Sequence, residues 1–268
     1  KNLRIDQQGV PLVEHLSIRA NGSRVVLLGP AANAIFLALS TQAEIVAGNL
    51  FVDGHDVAKA EHFPHIGIAL FDPQLPGKFT VHQLLSRNFY LTGLSNSEAN
   101  SAATATLNSL CLDNLSSRRI ETLALPERRA AILANAMLPS ARVLITQSPL
   151  ESLEGPAAKY VLALLGKISQ SRRVLAISSR FDTAGPDRDL ALGANHVVVL
   201  DGNHPVWQGE PQDLLSDTPL YSLRVRGHCE RFTARLRELN CQVFDNDDRP
   251  RASLPQGQST ALFFNAAA

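Results

Sequence analysis

The sequence predicts an α/β protein, a mostly parallel sheet wrapped by helices, with a small α+β unit at its end. Three observations predict it. Short apolar runs bounded by turn residues recur at 24–29 ("RVVLLG"), 66–70 ("IGIAL"), 142–146 ("RVLIT"), 173–178 ("RVLAIS") and 196–202 ("HVVVLDG"). Runs of that length without polar alternation suit strands buried on both faces. They alternate with segments of helical composition, as strand–helix–strand units require. Near residues 216–219 the texture changes, and alternating and amphipathic short segments take over.

Taken in order, residues 16–20 ("LSIRA") alternate like a half-buried strand, and "NGS" turns the chain into the run at 24–29. A helix is expected over 31–40, then a short strand between glycines at 48–54, as in a hairpin. After the strand at 66–70, helical periodicity fills 81–112, and a helix over 126–138 starts with Pro126 in its first turn, where a missing N–H is harmless. Further helices and strands alternate to residue 202. In the tail, 220–226 alternates, and 229–239 carries Phe232, Leu236 and Leu239 on one helical face. "CQVF", "PRASLP" and 260–268 complete a β-α-β-β-α order. The expected domains are therefore 1–216, with a helical subdomain at about 81–140, and 217–268.

Composition narrows the function. With 45% hydrophobic and 19% charged residues, the 268-residue chain can build a full core. Its zero net charge gives no support for nucleic-acid binding. Lysine is confined to Lys1, Lys59, Lys78, Lys159 and Lys167, which matters for any phosphate site. Cys111, Cys229 and Cys241 lack metal-ligand spacing and read as buried or partly buried thiols. The eight histidines are scattered without two-His metal spacing. The longest apolar stretch, 25–39, is broken by Gly29, Pro30 and Asn33 and is too short for a membrane span, and no signal peptide is visible.

Three stretches carry a family resemblance: "LSIRANGSRVVLLGP", "GNLFVDGHDV" and "VVVLDGNHPVWQGEPQDLL". With the element order, they resemble the ATP-binding subunit of ABC transporters over residues 3–215, and the tail resembles the small C-terminal domain of type-two ABC exporters. The fold implied is a P-loop NTPase-like nucleotide-binding domain with an antiparallel lead-in, a mostly parallel core sheet and a helical subdomain.

The same resemblance marks what is altered. In the family, phosphate-loop glycines wrap the phosphates with backbone N–H groups, a lysine neutralises them and a hydroxyl holds Mg²⁺. Here Ala32 and Ala34 stand at two loop glycines, Ile35 at the lysine and Phe36 at the hydroxyl. The aromatic that stacks on adenine has no counterpart between Lys1 and Ile35. Phe71 stands at the glutamine that touches metal and water, with Gln74 displaced. Leu123-Ala124-Leu125-Pro126-Glu127 replaces the signature motif that closes over a partner's ATP, and Glu127 adds negative charge there. Gln147 and Ser148 replace the Asp that orders Mg²⁺ and the Glu that polarises water. A nucleophilic role for Ser148 would need a nearby histidine, which the sequence does not indicate. Arg180 replaces the switch histidine and keeps an anion-friendly group.

The expectation is a catalytically silent, non-enzymatic subunit with no bound cofactor and no metal. It would pair with a second nucleotide-binding subunit, itself or an ATP-competent homologue, and dock on a membrane permease. That places it in the cytoplasm, peripheral to a membrane through its partners. Phe71, Pro73, Lys78, Ala124, Leu125, Pro126, Glu127, Ser152 and Glu154 are the candidate partner-facing residues. Two alternatives stay open: a soluble scaffold or regulator with the same fold, and an enzyme of unorthodox nucleotide chemistry using Arg180.

Overall fold

The computed structural model describes residues 2–58, 65–180, 185–214, 220–223, 225, 229–244, 250–255 and 258–267. The chain divides into two compact units, Lys1–Leu214 and Leu215–Ala268. The boundary expected at 216–219 falls outside the described residues.

The first unit begins with β1 (Leu3–Gln7) and β2 (Val10–Leu16), an antiparallel pair turned at Gln8 and Gly9, both at positive φ. The strand expected at 16–20 therefore lies upstream. Leu16 pairs with Leu3 at the end of the ladder, and Val13 and Leu16 are buried with Leu3 and Ile5. The Asn2 N–H donates to Ser17 Oγ just beyond the ladder. Alternation at 16–20 is real, but β1 has no residues left to pair with it.

Next come β3 (Arg24–Leu28) and α1 (Pro30–Leu39), then β4 (Glu44–Ala47), which pairs with the other edge of β1. A hairpin of β5 (Phe51–Val52) and β6 (His55–Asp56) follows. Asp53 and Gly54 at its tip both have positive φ, the turn that Asp-Gly favours.

After β7 (Ile66–Ala69) the chain forms a helical layer of α2 (Val81–Leu91), α3 (Asn96–Leu110) and α4 (Leu125–Asn135). Its starts are written locally. Thr80 with Gln83, and Ser95 with Glu98, each make reciprocal capping boxes. At the end of α3, Cys111 adopts a left-handed conformation (φ 57°) and is exposed, so only Cys229 and Cys241 meet the expectation of shielded thiols.

The unit ends with β8 (Val143–Gln147), α5 (Gly155–Ser171), β9 (Arg173–Ser178), α6 (Pro186–Leu192), β10 (His196–Asp201), β11 (His204–Gly209) and α7 (Pro211–Leu214). The core sheet runs in the order β11-β10-β3-β9-β8-β7, with every pair parallel except β10–β11.

This sheet separates two apolar cores, and strand alternation feeds both. Val26, Leu28, Leu144, Val174, Ala176 and Val197 face the core shared with α5 and the helical layer. Leu27, Val143, Ile145, Ile177 and Val198 face the core shared with α1 and the lead-in strands. Both faces of the central strands β3, β9 and β8 are largely dry, which is why these runs show no polar alternation.

The second unit contains β12 (Leu220–Ser222), α8 (Cys229–Glu238), β13 (Gln242–Phe244), β14 (Arg251–Ser253) and α9 (Ala261–Ala267). Its strands form an antiparallel sheet in the order β12-β14-β13. Phe232 and Leu236 bury against Ala252, Leu254 and Phe263, and Tyr221 meets the Phe263 ring edge-on.

One residue joins β3 to α1. Gly29 has φ 103°, and a Cβ there would lie 2.0 Å from the Leu200 carbonyl oxygen of β10. Gly29→Ala combines a left-handed backbone with a backbone overlap. It should lower unfolding stability by about 2–5 kcal/mol, read as a fall in the urea midpoint. An unchanged midpoint would show that this junction relaxes freely.

Candidate functional site

In a parallel sheet, ligand sites form outside the carboxyl ends of the strands, where neighbouring connections diverge. Here those ends gather Gly29 after β3, Phe71 after β7, Gln147 and Ser148 at β8, and Arg180 after β9. The sequence-predicted positions of the sheet edge therefore converge in space, although up to 150 residues separate them.

The turn after β3 is closed on itself. The Gly29 N–H donates to the Ser178 carbonyl at 3.0 Å, and the Ala32 N–H donates to the Gly29 carbonyl at 3.0 Å. Helix α1 begins at Pro30, so Ala31, Ala32, Asn33 and Ala34 are helical. Seven of its ten residues are buried, which makes it a core helix with almost no wet face. Ile35 (2% exposed) and Phe36 (0%) point into the core beneath the lead-in strands. They offer the sheet end neither charge nor hydroxyl.

Gln147 spans the middle of the site. Its Nε2 donates to Asn33 Oδ1 at 3.0 Å, and its Oε1 accepts the Phe71 N–H at 3.3 Å. One neutral side chain thus connects α1, β8 and the segment after β7. Ser148 is buried at φ 41°, with its N–H on the Ile177 carbonyl. Arg180 is exposed and adjoins residues 181–184, which lie outside those described.

Phe71 faces the helical layer. The Arg129 guanidinium of α4 sits over its ring, 4.5 Å from the centroid. Arg129 is buried, its Nε has no hydrogen-bond partner, and burial holds its pKa below the usual arginine value. Next to it, Arg128 pairs with Asp72 at 3.2 Å and donates to the Pro73 carbonyl at 3.4 Å. Beyond them, Lys78 and Phe79 are exposed before α2.

The start of α4 is occupied by the chain's own carboxylate. Glu127 Oε2 accepts the Ala124 N–H at 2.9 Å, and Oε1 pairs with Arg118, which also donates to the Thr122 carbonyl. A helix N-terminus attracts anions through its free N–H groups and its dipole. Glu127 therefore does not project as a free negative charge. It fills that position from within. The sequence carries a signal for this, since Glu127 stands three residues after the N-cap, as in half a capping box. Ala124 and Leu125 (44% exposed) are exposed around it and Pro126 is half-buried, while Ser152 and Glu154 before α5 are exposed.

The remaining sequence-predicted residues do not gather into one cluster. The residues sequence reasoning missed are Asn33, Arg118, Arg128 and Arg129, which hold the named positions in place. Among the described residues, no group of three or more His, Cys, Asp and Glu side chains is placed to hold a metal, and no helix is long and apolar enough to cross a membrane.

No protein-family model matches the chain. A putative ABC transporter ATP-binding protein of Methanopyrus kandleri is 28% identical over 76% of this chain and 78% of its own length. The chain spans about half the length of several other curated relatives it matches. Among solved structures, the Clostridium perfringens protein cbiO1, part of an ABC transporter complex, superposes with a TM-score of 0.67 at 15% identity, covering 81% of this chain and 91% of that one. A dimeric ATP-binding cassette bound to ADP and Pi superposes with a TM-score of 0.62 at 12% identity, covering 79% and 97%. The fold is that of an ABC nucleotide-binding cassette, and the chain's homologues are ABC-transporter ATP-binding proteins.

The closed start of α4 has a measurable consequence. Glu127→Ala removes the cap bond and the Arg118 pair, and should lower unfolding stability by about 1–2 kcal/mol. Glu127→Gln, which can still accept the Ala124 N–H, should retain more than half of that. Equal urea midpoints for wild type and Glu127→Ala would show that Glu127 does not hold the helix start.

Proposed function

We propose that this chain is a cassette subunit that does not bind or hydrolyse Mg–nucleotide, and that serves a transport assembly by completing a cassette dimer and docking on a membrane permease. The observation that carries the reading is the junction at Gly29. A phosphate cradle needs a run of free backbone N–H groups wrapped around the anion. Here the chain passes from strand to helix in one residue, and the N–H groups of Gly29 and Ala32 are already used.

The neighbouring chemistry supports it. A triphosphate at this turn would lie beside buried Ile35 and Phe36 with no lysine to compensate it, at a cost on the order of several kcal/mol per unpaired charge. Gln147 is neutral and already committed at both ends. Ser148 is no general base at neutral pH. A partner's nucleotide fares no better at α4, because Glu127 fills the helix start and Pro126 has no N–H to donate. Neither Mg²⁺ nor ATP fits the groups present.

The assembly role rests on likeness. A structural neighbour forms a cassette dimer and another belongs to a transporter complex. In this reading Leu125, Ser152 and Glu154 face the second cassette, and the segment from Phe71 through Phe79 faces the permease. The subunit is then held at the inner face of a membrane by its partners.

Two experiments test this. Calorimetry of the purified chain with millimolar Mg–ATP should give no binding heat, and micromolar binding would overturn the proposal. Ile35→Lys with Phe36→Ser should not create binding. It should instead lower stability by roughly 3 kcal/mol or more, because it puts an unpaired charge in the core and leaves a void. Purification from gently solubilised membranes should recover the chain with a permease and a second cassette. Recovery in the soluble fraction alone would favour a scaffold outside transport.

A further inference from the structure

The segment after β7 is fastened to the rest of the unit from two directions. From the sheet side, Gln147 accepts the Phe71 N–H and grips Asn33 of α1. From the helical side, consecutive residues of α4 hold consecutive residues of the segment. Arg129 stacks on Phe71, and Arg128 reaches Asp72 and the Pro73 carbonyl.

These contacts are not equal. The Arg128–Asp72 pair is exposed on both sides and contributes little. The Arg129–Phe71 stack is dry on the arginine side, where a cation over a ring is strongest, and Arg129 keeps an unpartnered Nε although Asp72 and Glu151 add attraction. Moving Phe71 away would leave a desolvated guanidinium uncovered. Moving Gln147 away would strand polar atoms on Phe71 and Asn33. The three anchors are all side chains of this chain, and none needs an ion or a phosphate between them.

We infer that Gln147 and Arg129 form a permanent latch that, through Phe71, holds the start of this segment and α4 in one position against the core sheet, whatever the nucleotide conditions. The inference rests on the proposed nucleotide-independent role and specifies its regulation: the chain presents one fixed docking segment and does not switch. Gln147 acts here as a positioning residue between α1, β8 and Phe71. The Phe71 and Arg129 side chains act as a matched pair across the boundary between sheet and helical layer.

Amide hydrogen exchange on the full chain, without nucleotide, tests it. Gln147→Leu keeps the volume and removes both hydrogen bonds. It should speed exchange at the Phe71 amide about five- to tenfold and raise exchange in the first turns of α4. Arg129→Met should loosen residues 71–73 in the same way. Gln74→Ala, an exposed change in the same segment, should alter neither. If Gln147→Leu does not fold, Phe71→Leu keeps Gln147 and removes the ring under Arg129, and faster exchange in α4 is again expected. Exchange unchanged from wild type in Gln147→Leu, or in Phe71→Leu where that stands in, overturns the latch while leaving the nucleotide proposal intact. A calorimetric Mg–ATP signal in the wild type overturns that earlier proposal separately, because the exchange contrast is read without nucleotide.

Discussion

Helix α1 lies directly against the end of a strand buried on both faces, and the rest of the first unit is arranged around that contact. Gly29 makes the join because the Leu200 carbonyl stands where any side chain would go. With a one-residue join, the first turn of the helix is pressed under the lead-in strands, and only small or apolar residues fit. Ala31, Ala32 and Ala34 let the backbone approach, and Ile35, Phe36 and Leu39 fill the space behind them. A dry helix start and an anion cradle are incompatible uses of the same backbone, since the second requires N–H groups facing solvent and ligand.

The polar groups around that junction are satisfied internally. Gln147 uses both ends of its amide, Glu127 uses both carboxylate oxygens, and Arg118 and Arg128 divide their donors between carboxylates and carbonyls. Arg128 and Arg129 are the exceptions, each with an unpartnered Nε, and Arg129 lies over an aromatic face with the carboxylates of Asp72 and Glu151 nearby. Sites that handle ligands keep donors and acceptors in reserve. This one keeps very few, which is the electrostatic counterpart of the proposed loss of nucleotide binding.

How much of this the sequence revealed depended on the range of the interaction. Strands dry on both faces announce themselves, and 24–29, 142–146 and 173–178 fold where the runs lie. The Asp-Gly hairpin and the start of α4 were equally local. Residues 16–20 misled because alternation reports a half-buried surface but not the length of the partner strand, and β1 begins at Leu3, opposite Leu16. The Gln147 bridge was illegible for a different reason. It joins positions 76 and 114 residues apart, and nothing in a neutral glutamine predicts which amide it will hold. Nothing local in "ERRAA" marks Arg129 for burial, which follows from its packing against Phe71.

The packing of α1 also bears on how such a chain can change over generations. A functioning phosphate loop would need its glycines, lysine and hydroxyl together with a longer, looser join after β3. Each of those substitutions made alone falls on a residue that supports the core. The intermediates would lose stability before they gained any affinity, and natural proteins have only a narrow margin of stability to lose. Under the proposed loss of nucleotide binding, the junction at Gly29 behaves as an evolutionary ratchet. Substitution along the surface of this unit is open, while a path to a phosphate loop through its first helix is closed to single steps.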